Sequence, residues 1–221
     1  MFGQNPKRPP LKGDGTTLEI QEIFATIQGE GLYAGWPSVF IRLGGCNLAC
    51  NFCDTEFESY TQIETSAIIK QTIILANGGA TKLVVITGGE PLRQPINNLC
   101  TQLLEHGFMV QIETNGTIYQ EIDERVDVVC SPKNQNGTYT HIRPDLLERI
   151  SAFKFIISAH DKNYSNIAEV GQENYGTPVY VQPMDEYNEA KNIENINLAV
   201  KLAMDKGCRL SMQLHKLIGL R

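Results

Sequence analysis

Three cysteines fall within one short stretch, Cys46-Asn-Leu-Ala-Cys50-Asn-Phe-Cys53, at the spacing C-x3-C-x2-C. Thiols this close on one loop converge on a single object. Three thiolates from one loop suit three corners of a cubane iron–sulfur cluster. No fourth cysteine follows at motif distance, so one iron stays open. An open iron can hold a small molecule and pass an electron into it, which points to catalysis rather than electron storage. The competing reading is a closed tetrahedral zinc site, which needs a fourth Cys or His at short spacing. His106, His141, His160 and His215 are all distant, leaving only a long-range ligand to complete it. Phe52, inside the loop, is expected to shield the cluster and lower the polarity around it.

A second group of chemistry-bearing residues, Thr87-Gly88-Gly89-Glu90-Pro91, closes a buried apolar run. Two residues without Cβ let a ligand approach the backbone, and Glu90 offers a carboxylate to an ammonium group, as amino-acid recognition requires. Alone, a Gly-Gly turn is a common strand-to-helix connection. One strand–helix unit after the cysteine loop, it gains specificity. Arg42 lies inside the apolar run 39–43, where a guanidinium is costly unless paired. It is expected to meet a carboxylate, either on a ligand or within the protein.

Such residues need a scaffold to bring them together, and the hydrophobic pattern describes one. Strand-length runs at 39–43, 83–87, 109–113, 126–130, 153–158, 179–182 and 210–214 alternate with helical stretches at 65–76, 96–105, 144–150 and 190–205. Gly78, Gly107 and Gly207 supply stop signals, and 18–27 is a further edge strand. The alternation predicts a parallel sheet with right-handed crossovers. A closed eight-unit barrel takes about 250 residues. The chain has 221, so the expected fold is α/β, a partial, open (β/α) barrel of six to seven mainly parallel strands with abbreviated helices. Each polar motif follows the C-terminal end of a run: the cysteine loop, Thr87 to Pro91, Glu113-Thr114-Asn115-Gly116, Ser131-Pro132-Lys133, Ser158-Ala-His160-Asp161, Gln182-Pro183-Met184 and Leu214-His215-Lys216. In parallel α/β folds those ends share one face, which predicts one pocket.

Composition narrows the function classes. Hydrophobic residues make up 42% of the chain and no linker interrupts it, so residues 1–221 read as one domain. Residues 1–17 carry Pro, Lys and Gly without an apolar run and are expected to be a flexible or loosely packed extension, neither signal peptide nor anchor. That predicts a soluble, cytoplasmic protein with no membrane partner. A formal charge of −6 leaves no dense basic face for a phosphate backbone, so nucleic acid is not expected to bind. Cys100, Cys130 and Cys208 are scattered singly and read as ordinary reduced thiols.

Together the triple-cysteine loop and the Gly-Gly-Glu-Pro turn resemble the radical S-adenosylmethionine superfamily, over nearly the whole chain. Within it, the details are similar to the 7-carboxy-7-deazaguanine synthases. The matching stretches are Glu22-Ile-Phe-Ala-Thr-Ile-Gln28-Gly29-Glu30-Gly31, Phe40-Ile-Arg42-Leu43, Cys53-Asp54-Thr55, Glu113 to Gly116, Ser131 to Lys133 and His215-Lys216. The resemblance implies that Cys46, Cys50 and Cys53 hold a [4Fe–4S] cluster whose open iron chelates the amino and carboxylate groups of S-adenosylmethionine. It further implies that the resulting 5′-deoxyadenosyl radical abstracts hydrogen from carbon 6 of 6-carboxy-5,6,7,8-tetrahydropterin. Ring contraction with loss of ammonia would then give 7-carboxy-7-deazaguanine, in queuosine and deazapurine biosynthesis. Carried over residue by residue, Phe52, Cys53, Asp54, Gly89, Glu90, Thr114, Ser131, Pro132, Lys133 and Gln182 contact S-adenosylmethionine. Ile27, Gln28, Gly29, Glu30, Arg42, Thr87, His215 and the terminal Arg221 contact the pterin, and Thr55 ligates Mg2+. A reducing electron-donor protein and a homodimer are implied as well. The alternatives are an activase that makes a glycyl radical on a partner protein and a non-catalytic iron–sulfur or zinc module.

Overall fold

The computed structural model describes residues 5–53, 55–135, 137–140 and 142–220. In chain order its elements are β1 (Thr17–Ile27), β2 (Pro37–Leu43), β3 (Thr61–Glu64), α1 (Thr65–Leu75), β4 (Leu83–Gly88), α2 (Asn97–Glu105), β5 (Met109–Thr114) and β6 (Asp127–Cys130). There follow β7 (Asn134–Gln135), β8 (Thr138–Tyr139), α3 (Pro144–Leu147), β9 (Ile150–Ile157), α4 (Gln172–Tyr175), β10 (Val179–Pro183), α5 (Glu189–Lys206), β11 (Arg209–Leu210) and α6 (Leu214–Leu217). Nine strands make one sheet in the order β11-β10-β9-β6-β5-β4-β2-β1-β3, and β7 pairs with β8 separately. From β2 to β11 across the large sheet every pairing is parallel. β1 and β3 add on antiparallel. Among the described residues no ladder joins β11 to β3, so the sheet is open, as expected.

Period-two alternation divides the chemistry of the strands between the two faces of the sheet. On β2, Val39, Ile41 and Leu43 enter the main apolar core, whereas Phe40 and Arg42 face a cavity on the other side. On β9, Phe153, Phe155 and Ile157 enter the core, whereas Lys154 and Ile156 face the cavity. β5 repeats the pattern, with Val110 and Ile112 in the core and Glu113 on the cavity. The helices cover the apolar face through Ile68 and Ile69 of α1, Leu99 and Leu103 of α2, and Ala199 and Leu202 of α5. Asn188 caps the last of these by accepting the Lys191 amide at 3.1 Å.

Several expectations need correction. β1 is not an edge, because β3 pairs outside it. The helix expected at 144–150 is a single turn, since Ile150 already pairs with Val128 in the β9 ladder. The run 210–214 does not form a strand of that length. After Leu210 the chain crosses towards the end of β1, where the Leu214 amide donates to the Gly29 carbonyl at 3.1 Å, and α6 begins there. The N-terminal segment has mostly exposed side chains, yet its backbone is tied down at several points. The Arg8 amide donates to the Cys46 carbonyl and the Leu11 amide to the Arg93 carbonyl, both at 2.7 Å.

Candidate active site

Loops at the C-terminal ends of β2, β4, β5, β6 and β10 surround a cavity of about 270 Å³, whereas Ser158 to Asp161, after β9 and expected in the same pocket, do not line it. One wall is the cysteine loop. Cys46 is buried, Cys50 and Cys53 are half-buried, and all three are free thiols packed with Leu48 and Phe57 in an apolar patch of their own. The Cys53 amide donates to the Cys50 carbonyl at 3.1 Å, and the Gly45 amide to the Phe57 carbonyl at 2.9 Å, which curls the loop around its sulfurs. Burial pushes the Cys46 thiol up to about 12 and raises Cys50 as well, so metal binding must displace protons. Phe52 and Thr55 line the same wall, and Phe52 meets Tyr164 edge-on at 4.9 Å. Asp54 lies outside the described residues.

The Gly-Gly-Glu turn braces this loop. A Cβ on Gly89 would lie 2.0 Å from the Gly45 carbonyl oxygen and 2.8 Å from the Cys46 amide nitrogen, so the close approach that glycine permits here is by the protein's own backbone. Gly89 also lines the cavity, but Glu90 does not. Its fully buried carboxylate accepts from the Leu92 amide at 2.9 Å and from the Thr114 hydroxyl and the Asn115 amide, both at 2.7 Å. The role expected for Glu90, receiving a ligand ammonium, therefore gives way to stapling the loops after β4 and β5 together. Glu90→Gln turns one of the two acceptor oxygens into an NH2 that faces at least one of these donors, which costs about 1–3 kcal/mol. For a chain of this size that predicts a melting temperature lower by roughly 2–12 °C in a thermal melt. An unchanged melt with weakened S-adenosylmethionine binding would return Glu90 to the ligand.

Lys133 and Ser131 line the cavity beyond Thr114, with the Lys133 ammonium donating to the Ser131 hydroxyl at 2.6 Å and carbonyl at 2.8 Å. Burial lowers the Lys133 pKa. Gln182 lines the cavity from β10, accepting from the Ser211 hydroxyl at 3.2 Å, whereas Pro132 is buried away from the wall.

The same cavity is lined by an array of carboxylates and amides. Gln28, Glu30 and Glu113 line the cavity, and the buried ammonium of Lys154 ion-pairs with Glu30 and, at 3.1 Å, with Glu113. Gln28 donates to Glu113 at 3.0 Å, and Gln213 donates to Glu30 at 2.8 Å. Burial alone would raise the Glu30 carboxyl, but Lys154 and Gln213 outweigh it and hold it at about 2. Arg42 also lines the cavity, where it pairs with Glu22 at 3.1 Å and lies over the Phe24 ring. Ile27, Thr87 and His215 complete this side, His215 from α6 rather than from a strand end. Gly29 is buried behind them. A Cβ there would lie 2.0 Å from His215 Nδ1, so the missing side chain is what seats the histidine. Arg221 lies outside the described residues. Sequence reasoning passes over Lys154, although the rule applied to Arg42, a cation inside an apolar strand run, selects it equally well.

Residues 40–208 match the Radical SAM superfamily. The chain is 57% identical to the 7-carboxy-7-deazaguanine synthase of Rickettsia prowazekii (strain Madrid E), over 100% of this chain and 96% of the relative. It is 38% identical to the enzyme of the same name from Rhodospirillum rubrum, over 99% of each. The chain belongs to the 7-carboxy-7-deazaguanine synthase family of radical SAM enzymes. The crystal structure of QueE from Escherichia coli superposes with a TM-score of 0.71 at 26% identity, covering 89% of this chain and 94% of that one. Family membership removes the non-catalytic zinc or electron-transfer module from consideration and implies a [4Fe–4S] cluster and S-adenosylmethionine. The donor set fits the cluster. Three thiols project from one loop into an apolar patch. No helix among the described residues is long and apolar enough to cross a membrane.

Proposed function

We propose that this chain converts 6-carboxy-5,6,7,8-tetrahydropterin to 7-carboxy-7-deazaguanine with release of ammonia. The observation that carries the proposal is that the three thiols and the Gln28, Glu30 and Glu113 array line one cavity. A pterin presents a donor-rich aminopyrimidine edge, and the carboxylates ion-paired with Lys154 are matched acceptors for it. Arg42, with Thr87 and Ile27 alongside, receives the pterin carboxylate, and His215 closes the pocket over it. When bound at Cys46, Cys50 and Cys53, the cluster supplies one electron to the S-adenosylmethionine sulfonium and so a carbon radical able to abstract hydrogen. Phe52, Cys53, Asp54, Gly89, Thr114, Ser131, Lys133 and Gln182 hold that cofactor, the hydroxyls and amides serving its ribose and adenine edges.

Mg2+ would depend on Thr55, water and the substrate carboxylate rather than on a cage of protein carboxylates. A reducing protein supplies the electron, and the chain works as a cytoplasmic homodimer. The test is anaerobic incubation of the reconstituted protein with dithionite, S-adenosylmethionine, Mg2+ and the carboxytetrahydropterin, followed by mass analysis. Both 5′-deoxyadenosine and the deazaguanine are expected, and absence of both would remove the proposal. In the same assay Thr55→Ala should raise the Mg2+ concentration needed for half-maximal rate by about 10–100-fold. An unchanged Mg2+ requirement would take Thr55 out of the metal site.

A further inference from the structure

The N-terminal segment lies outside residues 40–208 that match the superfamily, yet it lies directly on the cysteine loop. Lys7 forms a parallel bridge with Cys46. Behind the segment, the buried Arg93 guanidinium pairs with Glu19 and donates to the carbonyls of Pro9 at 3.1 Å and Gly44 at 3.0 Å. At the start of this strap, Asn5 donates to the Thr55 carbonyl at 2.9 Å and reaches within 3.8 Å of Cys53 Sγ. Asn115 approaches from the loop after β5. Its amide donates to Asn47 at 2.9 Å and stands 3.9 Å from Cys46 Sγ, which also accepts the Leu48 amide at 3.4 Å.

We propose that Asn5 and Asn115 are positioning residues for the iron–sulfur cluster, donating N–H···S hydrogen bonds to the Cys53 and Cys46 thiolates and thereby setting its reduction potential. The proposal rests on the cluster assignment above. A sulfur ligand carries more negative charge after the cluster is reduced, so an N–H donor stabilises the reduced state more than the oxidised one. Partners of this kind, outside the ligands themselves, orient and tune a metal site. Removing a donor therefore drives the potential negative. The strap gains a role on this basis: it delivers an amide to the third cysteine from a part of the chain outside the motif.

Asn115 also braces its own loop through Thr117, so Asn5 is the cleaner position to test. Asn5→Ala and Asn5→Asp are reconstituted, assayed for iron and sulfide per chain, and titrated anaerobically for the cluster midpoint potential without substrate or S-adenosylmethionine. Full iron loading is expected in both, with a potential more negative than wild type in Asn5→Ala. It should be more negative again in Asn5→Asp, whose carboxylate adds charge beside the sulfur. Unchanged potentials at full loading would overturn the proposal. Loss of iron in Asn5→Ala would also overturn it, making Asn5 a latch on the Thr55 carbonyl instead. Because the readout is the cluster alone, it can fail while the product assay succeeds, and the reverse.

Discussion

Cys50→Ala should give a folded chain that takes up at most residual iron and forms no product. Cys50 is half-buried in an irregular loop, so losing its sulfur costs about 1 kcal/mol of stability, too little to unfold the protein. Two thiols remain, and the cluster loses one of its three anchors to the chain. The informative contrast is Cys100→Ala. That thiol is fully buried in the core on α2, its pKa pushed up to about 12 by burial, and it lies apart from the cavity. Truncating it should lower the melting temperature by a few degrees, for a loss of about 1–2 kcal/mol, while leaving iron content and turnover intact. Iron and sulfide assays with visible absorption decide between the two. Full iron and normal turnover in Cys50→Ala would end the cluster assignment, and with it the roles given to the surrounding wall.

How much of this was open to sequence reasoning depends on which force placed each residue. The parallel strands announce themselves because burial on both faces demands apolar runs, and 39–43, 83–87 and 109–113 fall within two residues of β2, β4 and β5. β3 escapes detection, and β11 is met only at Leu210 by the run expected at 210–214, because both exist through pairing alone. Thr61–Glu64 is polar and short, and Arg209–Leu210 is exposed at an edge. The cysteine loop is legible since its spacing is itself the ligand geometry. Glu90 is not, because whether a carboxylate after two glycines faces a ligand or its own protein depends on where the β5 loop comes to rest. Nor do Asn5 and Asn115 stand out, since their contacts with Cys53 and Cys46 span 48 and 69 residues of sequence. Lys154 was within reach. A run such as Phe153-Lys154-Phe155 splits by alternation into core and cavity sides, and a buried cation on the cavity side needs an anion there.

That lysine carries the second large prediction. Lys154→Met should keep the shape of β9 but leave Glu30 and Glu113 facing each other across a buried cavity with their shared cation gone. Breaking a buried pair from one side costs about 3–5 kcal/mol. At 2–4 °C per kcal/mol for a domain of this size, the melting temperature at neutral pH should fall by roughly 6–20 °C. The pH dependence separates this cause from simple loss of packing. In the native protein the Glu30 carboxyl sits at about 2, below its ordinary 4.5, so its contribution to stability is present above 4.5 and disappears as pH falls towards 2. Without the ammonium, burial is the dominant influence left and moves the same carboxyl above 4.5. The penalty then grows as pH rises through that value and vanishes below it. The gap between native and variant melting temperatures should therefore be widest near neutrality and narrow towards about pH 4. A gap independent of pH would mean that Lys154 matters only for packing. On turnover, the acceptors lose the charge that fixes their orientation, and kcat/KM for the pterin should drop by about 10²–10³. Iron content should stay at the native level, because the cysteine loop makes none of these contacts.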